Sequence, residues 1–105
     1  MDGKTTVKYL QNYIKAKDYS PKLKKEYFLK LSEEVGELAR AMRKNALKAE
    51  IGELKGTVDE ELWDVIYYAV ALANCYDVDL EAVIKEKEEI NRQKYGHAVS
   101  FEENR

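Results

Sequence analysis

The sequence predicts an all-α fold, a helical bundle of about four helices per subunit whose four-helix core is completed by dimerisation. Apolar residues recur at three- and four-residue spacing through most of the chain, and no stretch alternates apolar with polar residues over a strand's length. Pro21 is the only proline to interrupt this pattern. The segment from Leu62 to Ala73 is apolar around most of its circumference, more than one small subunit can cover.

A first helix is predicted from Thr5 to Lys17, with Val7, Leu10 and Ile14 along one face. Ser20-Pro21 has the form of an N-cap followed by proline at the first helical position, and so predicts a second helix from Pro21 to Lys44. Its apolar stripe is Phe28, Leu31, Val35, Leu38 and Met42. Gly36 inside it costs about 1 kcal/mol against alanine, a sacrifice that suits close helix approach or ligand access. Asn45 to Gly56 reads as a loop with one helical turn at most. Thr57-Val58-Asp59-Glu60 is a capping box that opens a third helix running to Cys75. Asp79 caps a fourth helix, Leu80 to Tyr95, stopped by Gly96. The segment 97–105 is polar and is expected to be a flexible tail.

With 105 residues, 45% of them apolar, the chain supports one domain spanning 1–105 and one core, near the size at which self-association helps. A net charge of −2 provides no basic field for nucleic acid or an anionic membrane, and neither partner is expected. Cys75 is the only cysteine, so no intramolecular disulfide forms, which favours a reducing compartment. No apolar run approaches a bilayer span, and Met1-Asp2-Gly3-Lys4 lacks the apolar stretch of a signal peptide. A cytoplasmic location is the expectation.

Two acidic clusters stand out. Glu33-Glu34-Val35-Gly36-Glu37 lies on the second helix and Glu61-Leu62-Trp63-Asp64 on the third, with 23 residues between Glu37 and Glu61. Carboxylates three residues apart on a helix share a face and repel each other. At about 100° per residue, Glu34 falls on the margin of the apolar stripe, with Glu37 beside it and Glu33 roughly opposite. Asp64 falls among Tyr68, Ala71 and Cys75, with Glu61 one turn before. A carboxylate in apolar company must be neutralised, paired or metal-bound, and no Lys or Arg lies between Val58 and Cys75 to pair with it. Oxygen donors without nitrogen or sulfur suit Mg²⁺ or Mn²⁺. The only histidine, His97, lies outside any ligand spacing, which disfavours zinc and ferritin-like di-iron chemistry. Glu50-Ile51-Gly52-Glu53-Leu54 echoes Glu34-Val35-Gly36-Glu37-Leu38, but its gap to Glu61 is too short for two facing helices. Magnesium held by carboxylates usually also holds phosphate. The fourth helix offers Lys87, Asn91, Arg92 and Lys94 as contacts, of which Lys87, Asn91 and Lys94 share a face.

Three segments together resemble the MazG-like nucleoside triphosphate pyrophosphohydrolases, an all-α superfamily. They are Lys30-Leu31-Ser32-Glu33-Glu34-Val35-Gly36-Glu37-Leu38-Ala39, Glu60-Glu61-Leu62-Trp63-Asp64-Val65-Ile66-Tyr67-Tyr68, and Lys87 with Ile90-Asn91-Arg92 and Tyr95. The resemblance covers about Lys22 to Gly96. It implies Glu34, Glu37, Glu61 and Asp64 as magnesium ligands, and Tyr68, Lys87, Asn91, Arg92 and Lys94 as nucleotide or phosphate contacts. It further implies cleavage between the α- and β-phosphates, in a homodimer or a dimer-of-dimers tetramer. Glu37 is the candidate to orient or deprotonate water, and Lys87 to stabilise phosphate charge. The dCTP-preferring members carry aromatic residues where this chain has Asp18-Tyr19-Ser20-Pro21-Lys22 and Arg43-Lys44-Asn45. The base is therefore not expected to be held by a tryptophan sandwich. The rival expectation is a non-enzymatic helical module for dimerisation or for cation or nucleotide binding.

Overall fold

The structure, a computed structural model, describes residues 3–104. Met1, Asp2 and Arg105, the ends of the predicted start and tail, lie outside the described residues. Five helices follow in order: α1 (Val7–Lys17), α2 (Lys24–Arg43), α3 (Lys48–Ile51), α4 (Val58–Cys75) and α5 (Leu80–Tyr95). No strand occurs among the described residues. The all-α class holds, and the helix beyond the expected four is the single turn α3. None of the helices is long and apolar enough to cross a membrane.

Local chemistry sets each boundary. Thr6 rather than Thr5 opens α1, its hydroxyl oxygen accepting from the Tyr9 N–H at 3.0 Å. The predicted Ser20 cap does not form. Leu23 N–H donates to the Ser20 carbonyl at 2.8 Å, so Pro21 sits at the second position of a β-turn, where its fixed φ is equally at home. Helix α2 therefore starts at Lys24, with no side chain capping it.

Two helix ends share a device that the sequence reading missed. After α2, Asn45 adopts φ +50°, Asn45 N–H donates to Met42 O, and Ala46 N–H donates to Ala41 O. After α4, Asp77 adopts φ +56°, Asp77 N–H donates to Asn74 O, and Val78 N–H donates to Ala73 O. Both are Schellman ends built without glycine, on residues whose short polar side chains tolerate the left-handed region. The capping box of α4 forms with an offset. Thr57 Oγ1 accepts from Glu60 N–H at 3.2 Å, while Glu60 Oε1 accepts from Gly56 N–H, one residue earlier than expected.

Helix α4 is central, packed on α2 along one side and on α1 along another, while α5 rests on α1. The buried apolar cluster is small: Ile14, Tyr27, Val70, Ala71 and Cys75, with Tyr67, Tyr68, Leu72 and Leu80 against it. A polar plug fixes α1 to the α4–α5 turn. Gln11 donates to Asn74 Oδ1 and to the Val78 carbonyl, and accepts from Leu80 N–H.

The stripe read on the second helix is not interior to the chain. Phe28, Val35 and Met42 are 56%, 50% and 60% exposed. On α4, Leu62 and Ile66 are each 48% exposed, and with the exposed Ala69 and partly exposed Ala73 they share a side at four- and three-residue spacing. The radius of gyration is 16.2 Å, against about 13 Å for a compact domain of this length.

Candidate metal centre

Helices α2 and α4 run antiparallel. The start of α2 (Lys24, Phe28) meets the end of α4 (Leu72, Tyr76), and the end of α2 (Ala41, Lys44) meets Gly56 and Glu61. That orientation brings the two acidic clusters together. Glu34, Glu61 and Asp64 each offer a carboxylate oxygen, and these oxygens lie within 4.8 Å of one another. Glu61 is only 8% exposed, and its Oε2 is buried without a hydrogen-bond partner. No lysine or arginine among the described residues forms an ion pair with any of the three.

Burial, then the neighbouring Glu34, then Asp64 and Glu60, push the Glu61 carboxyl up from 4.5 to about 7. Asp64 is raised as well, by burial first and then by Glu34 and Glu60. An orphaned buried carboxylate oxygen facing two further carboxylates is costly as it stands and becomes favourable around a hard cation. The all-oxygen donor set and the unpartnered Oε2 thus fit a divalent metal.

This arrangement sets the pH response of the metal-free protein. A carboxyl whose folded pKa lies above its unfolded value contributes stability that is complete below about 4.5 and lost as pH rises through about 7. In EDTA the wild type should lose of the order of 2 kcal/mol across that window relative to Glu61→Gln, as measured by thermal melting of both at each pH. Saturating divalent metal should remove the difference in slope, because the ion replaces the proton.

The other predicted residues fall at varied distances from this centre. Glu33 faces away and pairs with Lys30 at 3.5 Å, as its helical angle required. Glu37 is exposed and stands outside the triad, lining a cleft of about 220 Å³ with Glu61, Arg40, Ala41, Lys44 and Gly56. Tyr68, one turn beyond Asp64, is half-buried, with its ring edge-on to Tyr67 at 5.1 Å. Lys87, Asn91, Arg92 and Lys94 lie on α5, and no hydrogen bond or ion pair joins them to the triad. Arg92 is held by Glu89 through bonds of 2.6–3.2 Å, and Lys94 Nζ sits 5.3 Å from the Tyr95 ring centre. Glu50 and Glu53, the echo motif, are exposed on and just after α3.

Arg40 and Lys44 line the cleft beside Glu37 and Glu61, and the sequence reading did not single them out. Their signal was available: three and seven residues after Glu37, they share its helix face.

Residues 23–96 match the family model described as the MazG nucleotide pyrophosphohydrolase domain. Among solved structures, the chain is similar to iMazG from Vibrio DAT 722 in two forms. The Ntag form is 46% identical, with a TM-score of 0.79 over 89% of this chain and 100% of that one. The Ctag form is also 46% identical, with a TM-score of 0.78 over 84% of this chain and 99% of that one. A search of curated proteins gave no match.

Proposed function

Since the chain belongs to the MazG nucleotide pyrophosphohydrolase domain family, we propose that it is a magnesium-dependent enzyme cleaving a nucleoside triphosphate between the α- and β-phosphates. The products are the nucleoside monophosphate and pyrophosphate. Hydrolysis of nucleotide phosphoric anhydride bonds comes with the family, as does a divalent metal, and the non-enzymatic rival is set aside. The observation that supports the metal-dependent reading is Glu61 Oε2, buried and unpartnered beside Glu34 and Asp64.

Glu34, Glu37, Glu61 and Asp64 are the residues proposed to hold the ion. When bound, magnesium would supply positive charge that offsets the charge gathering on the phosphates, with Mn²⁺ as an oxygen-preferring substitute. Glu37, exposed at the edge of the triad, takes the proton of the attacking water. As the new oxygen–phosphorus bond forms at the α-phosphorus, the bond to the bridging oxygen breaks, and pyrophosphate leaves with the electron pair. Lys87 meets phosphate charge and Asn91 positions substrate, with Tyr68, Arg92 and Lys94 as further contacts in the assembled protein.

Replacing Glu37 with Gln should lower kcat about 10²–10⁴-fold with an unchanged melting temperature, because the side chain is solvent-facing. Steady-state turnover together with a melting curve checks this, and wild-type turnover in the variant would remove Glu37 from the mechanism.

The assembly is proposed to be a homodimer, or a dimer of such dimers. Helices α2 and α4 pair with their equivalents in the second copy to form the four-helix core, and α1 to α5 act as one domain. Support comes from the open apolar side Leu62, Ile66, Ala69 and Ala73, from Phe28, Val35 and Met42 on α2, and from the large radius of gyration.

A further inference from the structure

Toward the end of α2, the cleft of about 220 Å³ lined by Glu37, Arg40, Ala41, Lys44, Gly56 and Glu61 adjoins the carboxylate triad. Glu61, with its buried and unpartnered Oε2, belongs to both. Arg40 and Lys44 lie six and ten residues after Glu34 on α2, a rise of about 9 and 15 Å along the helix axis. The backbone fixes the closed end of the cleft. Val58 N–H donates to the Ala46 carbonyl at 2.8 Å, and the fully buried Thr57 donates its hydroxyl to the Leu54 carbonyl at 2.6 Å. The end of α2 is thereby tied to the start of α4.

Charge decides what this cleft can take. A nucleoside triphosphate brings several negative charges to a centre that already holds the carboxylates of Glu34, Glu61 and Asp64, with Glu37 beside them. A divalent ion offsets only part of that total. Helix α4 supplies no lysine or arginine between Val58 and Cys75, and Lys30, one turn before Glu34, is paired with Glu33 at 3.5 Å. Arg40 and Lys44 are exposed and form no ion pair among the described residues, although Glu37 stands at a three-residue spacing that would allow one with Arg40. The dipoles of the two helices offset each other here, because the C-terminus of α2 meets the N-terminus of α4. The positive charge of the cleft therefore rests on these two side chains.

Arginine and lysine meet phosphate differently. The planar Arg40 guanidinium fits two phosphate oxygens at once, and the Lys44 ammonium is a point charge one turn beyond it. A substrate whose α-phosphate sits at the triad, with its other phosphates running past Glu37, would reach Arg40 first and Lys44 next. When the bond from the α-phosphorus to the bridging oxygen breaks, its electron pair passes to the departing pyrophosphate. Cations already aimed at that group stabilise the charge it gains.

We propose that this cleft is the leaving-group site, where Arg40 and Lys44 hold the β- and γ-phosphates and then the pyrophosphate product. The proposal rests on the pyrophosphohydrolase reading and deepens it, because this end of the α2–α4 hairpin then selects a triphosphate over a diphosphate.

Calorimetry with inorganic pyrophosphate and with inorganic phosphate, each in Mg²⁺, tests it without turnover. The wild type should bind pyrophosphate more tightly than phosphate. Arg40→Ala should weaken pyrophosphate binding about 10–100-fold, the value of a charge-assisted pair, with Arg40→Lys recovering part of it and Lys44→Ala losing less. In steady-state kinetics, Arg40→Ala should lower the preference for a triphosphate over its diphosphate by the same factor. Arg40 is exposed, so the melting temperature should hold. Unchanged pyrophosphate affinity in Arg40→Ala, whatever its turnover, would overturn the leaving-group site, and monophosphate with pyrophosphate still formed by the wild type would leave the reaction standing. Pyrophosphate binding that depends on Arg40, in a wild type that hydrolyses no triphosphate, would support the cleft and count against the reaction.

Discussion

Replacing Glu61 with Gln should reduce kcat/KM by at least about 100-fold and, in the same variant, make the metal-free protein more stable. The two effects have one cause. Glu61 is nearly fully buried, carries an unpartnered oxygen, and faces Glu34 and Asp64 across less than 4.8 Å. Without a cation, its ionised form is both desolvated and repelled, which is why its carboxyl titrates near 7. Gln preserves the shape, removes the charge and can donate to Glu34. The expected gain in EDTA is about 1–3 kcal/mol, in the range seen when a poorly compensated buried charge is replaced. Added divalent metal should raise the wild-type melting temperature and leave the variant's nearly unchanged. Loss of stability in EDTA on replacing Glu61 would mean that the residue serves the fold rather than the metal.

Replacing Ile66 with Glu should break the assembly into single chains and lower the melting temperature by more than about 10 °C. In an isolated chain Ile66 is 48% exposed. A surface charge there would cost less than about 0.5 kcal/mol. In the proposed dimer the same carboxylate is buried in each copy without a partner, costing about 3–5 kcal/mol apiece. Sedimentation and melting of the two proteins decide between these cases. A variant with wild-type size and stability would place the subunit contact elsewhere, or show that the wild type is monomeric.

The sequence was most legible where side chains cap helices or share a face. Thr57, Asp79 and Gly96 mark the ends of α4 and α5 where the structure has them. The shared face of Glu61 and Asp64 and the outward direction of Glu33 follow from helical geometry, whereas Glu34 meets the other two only because α2 and α4 pack antiparallel. The Ser20-Pro21 signal failed because proline's φ serves a turn as readily as a first helical turn, and the Ser20 carbonyl settles it by closing on Leu23. The ends of α2 and α4 were legible to within a residue, but the left-handed Asn45 and Asp77 that close them carry no glycine signal.

The stripe on α2 was legible as apolar, but what covers it was not: Phe28, Val35 and Met42 are exposed in the single chain. Periodicity reveals which residues share a face but not what lies against that face. Two contacts were beyond sequence reasoning for a related cause. Asp18 meets Tyr67 across 49 positions and Tyr27 across nine, and no spacing rule joins a helix C-cap to the first turn of one helix and the middle of another. The α5 residues Lys87 and Asn91 carry the resemblance in sequence, yet in one chain they sit on a helix whose main neighbour is α1.

The most direct test of the central claim is product analysis. The purified protein is incubated with Mg²⁺ and a panel of ribo- and deoxynucleoside triphosphates, and products are resolved by chromatography in the wild type and in Glu61→Gln. The account predicts nucleoside monophosphate and pyrophosphate in equal amounts, lost in EDTA and in the variant. Nucleoside diphosphate with phosphate, or turnover that persists in EDTA, would contradict it.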